Sequence, residues 1–164
     1  MQAVGYRYSS SATANNSLTH LPFRLTRDRA GNTEADIFEF PVSIEDEAAP
    51  RLLDRLPQAV ALAGQLSRYG GTLVVLIHPD ITGHKLEFEQ RFVAAVADRA
   101  WFGSMRAFGD FWAARDAVDV DIRMSDGLPQ LQLRADRAVP GLTLVLPPGL
   151  RAESVTPSSG TWRQ

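Results

Sequence analysis

Cysteine is absent from these 164 residues. That excludes disulfides, thiolate metal ligands and a cysteine nucleophile, while leaving the compartment open. Histidine is scarce: His20, His78 and His84 are the only three, and no two are spaced as a helical metal-ligand pair. There is no dense Lys/Arg block. Seventeen basic residues lie scattered among nineteen acidic ones, for a formal charge of −2, so no electrostatic grip on nucleic acid or an anionic membrane is expected. Long apolar runs are missing as well. The most apolar one, at 73–77, is far too short to span a bilayer, and no apolar segment of signal-peptide length follows Met1. Nor is there an internal repeat, a Gly-rich phosphate loop, a dinucleotide fingerprint or a Ser/His/Asp order.

What is present is an ordinary globular composition, 45% hydrophobic and 22% charged, with the length of one domain and a small appendage. The clearest element is the β-branched, apolar run at 71–77, which reads as a strand of a covered, mostly parallel sheet. It ends in Leu76-Ile77-His78-Pro79, placing an imidazole at the edge where α/β folds assemble their sites. Residues 1–8 read as strand from the outset, which suggests a missing upstream part. Residues 9–16 read as polar loop, 18–25 as a short mixed segment broken by Pro22, and 28–32 as a turn. Residues 36–42 read as one strand ending at Pro41, which cannot donate to a ladder. A helix follows, with Asp54 as N-cap and Pro57 in its first turn. Leu56, Val60, Ala63 and Leu66 recur at helical spacing, and Gly70-Gly71 stops it. Strand, helix and strand over 37–77 make a βαβ unit with a right-handed crossover.

Residues 85–100 read as a second amphipathic helix, with Phe88, Phe92, Val96 and Ala100 inward and a Glu87–Arg91 surface pair. Ser104 should cap a third, carrying Met105, Phe108, Trp112 and Arg115. At Val118 the period becomes two. Val120, Ile122 and Met124 alternate with Asp119, Asp121 and Arg123, Ser125-Asp126-Gly127 signals a turn, and Leu131 and Leu133 continue. A third run, Leu142, Leu144 and Leu146, completes an antiparallel meander. The expected organisation is an α/β portion at 1–117, a β appendage at 118–150 and a disordered tail at 151–164.

Four segments carry a resemblance, in order, over roughly the first two thirds of the chain. They are Gly5-Tyr6-Arg7-Tyr8-Ser9-Ser10, Glu39-Phe40-Pro41-Val42-Ser43, Leu76-Ile77-His78-Pro79 and Phe108-Gly109-Asp110-Phe111-Trp112-Ala113-Ala114-Arg115. They resemble the Tyr-Asp-Ser-Ser stretch, the Glu-x-Pro strand, the final Leu-x-His motif and the Gly-Asp-Trp-Trp-x-x-Arg helix of the polysaccharide deacetylases, metal-dependent carbohydrate de-N-acetylases. Departures are equally plain. The family's upstream aspartate motif, its His-x-x-x-His pair and its Arg-x-Pro-Tyr motif have no counterpart here. Ser9 replaces the aspartate of the first segment, and Phe111 replaces the first Trp of the last.

The fold class this implies is α/β: a partial (β/α) barrel of the deacetylase type, C-terminal half only, then a small antiparallel β appendage. A missing upstream segment or a homo-oligomer would cover the open sheet edge. Complete relatives hydrolyse N-acetyl groups of hexosamine glycans with a zinc-like divalent metal. In this chain no cofactor or metal is expected, and the chain alone should be inactive. The implied partner is a glycan or cell-envelope polysaccharide, with neither nucleic acid nor a membrane span. The resemblance suggests a periplasmic or extracellular setting, although no signal peptide is visible.

His78 resembles the residue that protonates the leaving amine, a role that a neutral-range pKa suits; the plainer reading is a histidine packed under a loop. Leu76 would line a pocket for the acetyl methyl, or be an ordinary core leucine. Glu39 would bind a sugar hydroxyl or support the site, or be a solvated or salt-bridged edge residue. Asp80 would orient the imidazole or bind metal, or accept backbone N–H bonds in a turn. Nothing makes His20, His78 and His84 converge on a metal. Trp101, Phe102, Phe108, Phe111 and Trp112 read as core, with Trp101 alone left as a sugar-stacking candidate. Asp119 and Asp121 read as a solvated face rather than a calcium site. The alternative function is a non-catalytic carbohydrate-binding or assembly module, dependent on Trp101 and indifferent to His78. A chance likeness in an unrelated α/β domain is a third reading.

Overall fold

The computed structural model describes residues 2–17, 20–28, 30, 33–80 and 82–156. It is a mixed α/β chain that divides into two compact units, residues 1–109 and 110–164. Among the described residues there are three small sheets, none closed into a barrel. No helix among them is long and apolar enough to cross a membrane.

In the first unit, strand β1 (Tyr8–Ser9) lies parallel to β3 (Glu34–Glu39), and β2 (Phe23–Thr26) pairs antiparallel on the other side of β3. Less of the N-terminus is strand than its sequence suggests: Gln2–Val4 is a 3-10 turn, and the polar stretch beyond β1 contains the short helix α1 (Ala14–Ser17). Residues 36–42 are not one strand either. The ladder stops at Glu39 and resumes after Phe40-Pro41 as β4 (Val42–Glu45), in a second sheet. Pro41 is fully buried and has no N–H to continue the pairing. Across the break, Phe40 N–H reaches the Ser9 carbonyl and Val42 N–H the Ala12 carbonyl, both at 2.8 Å.

The βαβ unit runs from β4 through α2 (Leu56–Leu66) to β5 (Val74–Leu76), which pairs parallel with β4. Asp54 does not cap α2. It lies in a preceding 3-10 turn, Leu52–Arg55, and pairs with Arg51 at 3.1 Å. The cap position falls on Arg55, which makes no side-chain cap bond, and a proline stands in the first turn, where a missing N–H leaves nothing unpaired. At the far end Gly71 N–H closes onto the Leu66 carbonyl at 3.0 Å, with Gly70 at φ 71°. That left-handed step is the usual use of a glycine after a helix.

The core joins Leu52, Ala59 of α2 and Phe88, Phe92 and Val96 of α3 (Gly83–Val96). The rings of Phe88 and Phe92 stack at 5.5 Å. Ile44, Leu73, Val75 and Ile77 pack on this cluster. Only one face of β5 is therefore covered by it: alternation sends Val74 and Leu76 the other way, and Leu76 is exposed. The expectation of a strand covered on both faces is corrected accordingly. Ala100 lies beyond α3 and is exposed.

Helix α4 (Met105–Asp116) is capped by Ser104, whose Oγ accepts the Ala107 N–H at 3.1 Å. An aromatic chain runs from Tyr8 to Phe40 (6.1 Å), Phe108 (5.8 Å) and Trp101 (5.8 Å). Gly109 makes this packing possible, since a Cβ there would fall 2.4 Å from the Tyr8 ring.

In the second unit β6 (Asp119–Ser125) and β7 (Leu128–Arg134) form a hairpin paired along its whole length. Asp126 (φ 53°) and Gly127 (φ 80°) supply the two left-handed residues of a tight hairpin turn. The third alternating run forms no strand: residues 142–147 have no regular structure. Alternation builds an apolar face but not a backbone partner, and Pro147-Pro148 denies the run an extension. The turn read at 28–32 falls largely outside the described residues, and the tail read at 151–164 does so beyond residue 156.

Candidate active site

Parallel pairing brings the C-terminal ends of β4 and β5 side by side, with Glu45 opposite Leu76. Asp46 follows β4 directly, and its N–H extends the ladder to the Leu76 carbonyl at 3.1 Å. His78 leaves β5 two residues after Leu76, so residues 32 apart in sequence meet at one strand edge. The Asp46 carboxylate is 0% exposed and the His78 ring 45% exposed.

Each Asp46 oxygen is occupied. Oδ1 accepts from the His78 ring Nδ1 at 2.8 Å. Oδ2 accepts the His78 backbone N–H at 2.8 Å and an N–H of Lys85 Nζ at 2.6 Å. Because a carboxylate has no proton to give, Nδ1 must be the donor, and the exchangeable proton of the imidazolium sits on Nε2. Lys85, one turn into α3, uses all three of its donors: besides Asp46 they reach Asp80 Oδ1 at 2.9 Å and the His78 carbonyl at 3.1 Å. The 78–80 loop is thereby tied to both α3 and β4. Glu47 Oε1 lies 3.7 Å from the His78 ring.

The electrostatics follow from these contacts. Burial alone would raise the Asp46 pKa, but bonds from Lys85 and from the backbone and ring of His78, with the Lys85 charge, hold it far below the usual carboxylate range. His78 is raised above its ordinary 6.5, first by the hydrogen bond to Asp46 and then by the Asp46 charge, with a further push from Glu47. Partial burial and the Lys85 charge oppose the rise. Lys85 is raised by its bonds to Asp46 and Asp80. The result is an alternating chain of charges, His78–Asp46–Lys85–Asp80, favouring a protonated imidazole.

Leu76 lies beside the cluster, exposed at the end of β5. Glu39 is buried elsewhere, one oxygen accepting the N–H groups of Ser11 (2.6 Å) and Ala12 (2.7 Å), so it props the loop after β1. Asp80 holds Lys85 rather than the imidazole. His20 bonds Ser43 Oγ at 3.0 Å, near the opposite end of β4, and His84 stands at the start of α3. Among the described residues no three His, Asp or Glu side chains are placed to hold a metal ion. The divalent metal implied by the family resemblance does not fit the Asp46 cluster either, since an ammonium and an imidazole N–H already fill that carboxylate. Phe102 is exposed rather than core. Trp101 is 62% exposed and lies flat over Gly103, where a Cβ would come within 2.0 Å of the ring. Asp121 pairs with Arg123 at 2.6 Å.

Sequence reasoning missed Asp46 and Lys85. The signal for Asp46 was the acidic Glu45-Asp46-Glu47 run closing the strand parallel to the histidine strand. For Lys85 there was none, because a lysine at the start of an amphipathic helix is ordinarily solvated. No family model, curated protein or solved structure matches this chain.

Proposed function

We propose that His78 is the general acid of an amide-hydrolysing site of the polysaccharide deacetylase type. The observation that carries this reading is the buried Asp46 carboxylate bonded to Nδ1 of an exposed imidazole at the joint end of two parallel strands. The Asp46 contact turns Nδ1 inward and leaves Nε2–H for substrate. As a tetrahedral intermediate collapses, the C–N electron pair moves onto nitrogen, and the Nε2 proton goes to that amine as it departs. Asp46 keeps its charge throughout and stabilises the imidazolium. Leu76 borders the place where the acyl group would lie.

On this reading β1, β3, β4 and β5 are parts of an incomplete (β/α) barrel, and the substrate is an N-acetylated glycan or cell-envelope polysaccharide. The residues that would hold a metal and supply the base have no counterpart in these 164 residues. Purified chain should therefore release no acetate from N-acetylated chito-oligosaccharides. The decisive test reads the coding sequence upstream of Met1 and expresses whatever in-frame product it encodes. An extension carrying an aspartate pair and His-x-x-x-His, with acetate release abolished by His78→Ala, is the expected result. Equal release by wild type and His78→Ala would refute the acid assignment.

One observation favours a second reading, a non-catalytic carbohydrate-binding module: Trp101 presents an exposed indole pinned over Gly103, a flat platform suited to stacking. Saturable chito-oligosaccharide binding lost in Trp101→Ala but retained in His78→Ala, without an upstream extension, would select it.

A further inference from the structure

The hairpin of the second unit has unequal edges. A two-residue turn makes Ser125 and Leu128 a hydrogen-bonded pair, and alternation along the ladder then fixes which backbone groups face inward. Asp119, Asp121, Arg123 and Ser125 of β6 point their N–H and C=O groups at β7. Val120, Ile122 and Met124 point theirs outward, and among the described residues no backbone group bonds to them. On β7 the outward positions are Pro129, Leu131 and Leu133. Proline has no N–H, so that edge is blunted.

The side chains differ in the same sense. On the apolar face of the hairpin, Val120, Ile122 and Met124 are 57%, 70% and 68% exposed, against 41% and 37% for Leu131 and Leu133. Among the described residues β6 pairs with β7 alone. A lone two-stranded hairpin is marginal, and further strands are what stabilise such a unit.

We infer that β6 is a homodimer edge, pairing antiparallel with β6 of a second copy about a two-fold axis at Ile122, to give a four-stranded sheet. Self-complementarity argues for a second copy. Ile122 is the midpoint of the seven-residue strand, so this register overlaps the strand completely. It also sets Asp121 of each copy opposite Arg123 of the other, Val120 opposite Met124, and Ile122 opposite its symmetry mate. Sliding the axis to residue 123 brings Arg123 onto Arg123, and sliding it to residue 121 brings Asp121 onto Asp121 even as Asp119 comes to face Arg123. The register of full overlap is thus the one that sets no like charges opposite each other, in keeping with an isologous interface. The outward groups of Val120, Ile122 and Met124 then form the inter-chain ladder, and the most exposed row of side chains gains neighbours.

Sedimentation velocity on the whole chain, from micromolar to submillimolar concentration, tests this. The wild type should show a concentration-dependent monomer–dimer equilibrium. Arg123→Asp should weaken it about tenfold or more, two facing pairs being lost per dimer. The double reversal Asp121→Arg with Arg123→Asp should restore it. Ile122→Pro removes an outward N–H and leaves the β6–β7 ladder intact, so it should abolish the dimer while preserving the circular dichroism spectrum. The chain has no cysteine, so Ile122→Cys can be joined by a short bismaleimide, whereas Leu131→Cys should be joined far less. A monomer at every concentration, a dimer indifferent to Ile122→Pro and to charge reversal, or equal cross-linking at 122 and 131 from stacked faces would each overturn the proposal.

Discussion

Replacing Asp46 by asparagine keeps the shape of the site and removes its central charge. The carboxylate accepts three bonds of 2.6–2.8 Å in a fully buried position. An asparagine can keep its oxygen where Lys85 and the His78 backbone N–H converge, but its amide N–H then faces the imidazole Nδ1. That contact is satisfied only if the neutral ring changes tautomer and carries its proton on Nε2, and an imidazolium there would set donor against donor. Hydrogen bonds to charged groups are worth about 1.5–3 kcal/mol and neutral ones about 0.5–1.5 kcal/mol, so each bond loses roughly 1 kcal/mol. The His78 ring is half exposed and counts least. The expected loss is therefore about 2–3 kcal/mol, which for a unit of this size lowers the melting temperature by roughly 10–20 °C. Urea denaturation measures the first quantity, and nitrogen-detected NMR follows the tautomer and the titration of His78. The midpoint should move down, because the hydrogen bond and charge that raise it are gone. A stability change below about 0.5 kcal/mol, or a His78 midpoint that stays or rises, would refute the idea that Asp46 organises this site.

The same groups set a pH window. Asp46, held below its ordinary 3.8, contributes stability that is present above that value and lost as pH falls through the folded pKa. His78, raised above 6.5, contributes stability present below 6.5 and lost as pH rises through its folded pKa. Urea midpoints should therefore be highest between pH 3.8 and 6.5 and decline on either side; a midpoint still rising above neutrality would contradict this. Lys85→Met should raise the His78 titration midpoint, since the lysine charge opposes protonation, and a fall would mean that Lys85 acts only by holding the loop. Leu52→Ala, at the fully buried centre of the core, should cost about 3–4 kcal/mol in urea denaturation, and a loss under 1 kcal/mol would place the core elsewhere.

What could be read from the sequence was local. Helices α2 and α3 follow from apolar spacing, the Ser104 cap from its hydroxyl, and the β6–β7 turn from Asp126-Gly127, because each depends on a few neighbouring residues. The single strand expected over 36–42 is instead two, because the ladder ends at Glu39 ahead of Pro41 and the chain resumes at Val42 in another sheet, which depends on which backbone stands alongside. The run Leu142, Leu144, Leu146 shows the converse: a strand-like pattern that finds no ladder. Asp54 looked like a cap and is not, since a 3-10 turn with its own Arg51 contact comes first. Within the site, His78 was legible as a polar residue closing an apolar strand. Its partner was not, because the Asp46–His78 contact spans 32 residues and depends on the register of β4 against β5.

The arrangement of charge bears on what His78 can do. With the imidazole protonated, the hydrogen-bonded chain carries two cations, His78 and Lys85, against the carboxylates of Asp46 and Asp80, and its sum is neutral, with the exposed Glu47 carboxylate standing 3.7 Å from the ring beyond it. Deprotonation of the ring leaves one uncompensated negative charge beside a buried carboxylate, so the site resists giving up that proton. The same buried Asp–His contact also strengthens a neutral imidazole as a base, so it favours proton retention without fixing the direction of transfer. Lys85 limits the effect by sharing Asp46, since without it the carboxylate would hold the proton more tightly still. Once charged, the ring retains its proton more firmly than a free imidazole, yet can release it from Nε2 to a strongly basic departing amine. An acid in this position serves a bond whose cleavage generates a basic leaving group, as the amine of the proposed amide substrate would be.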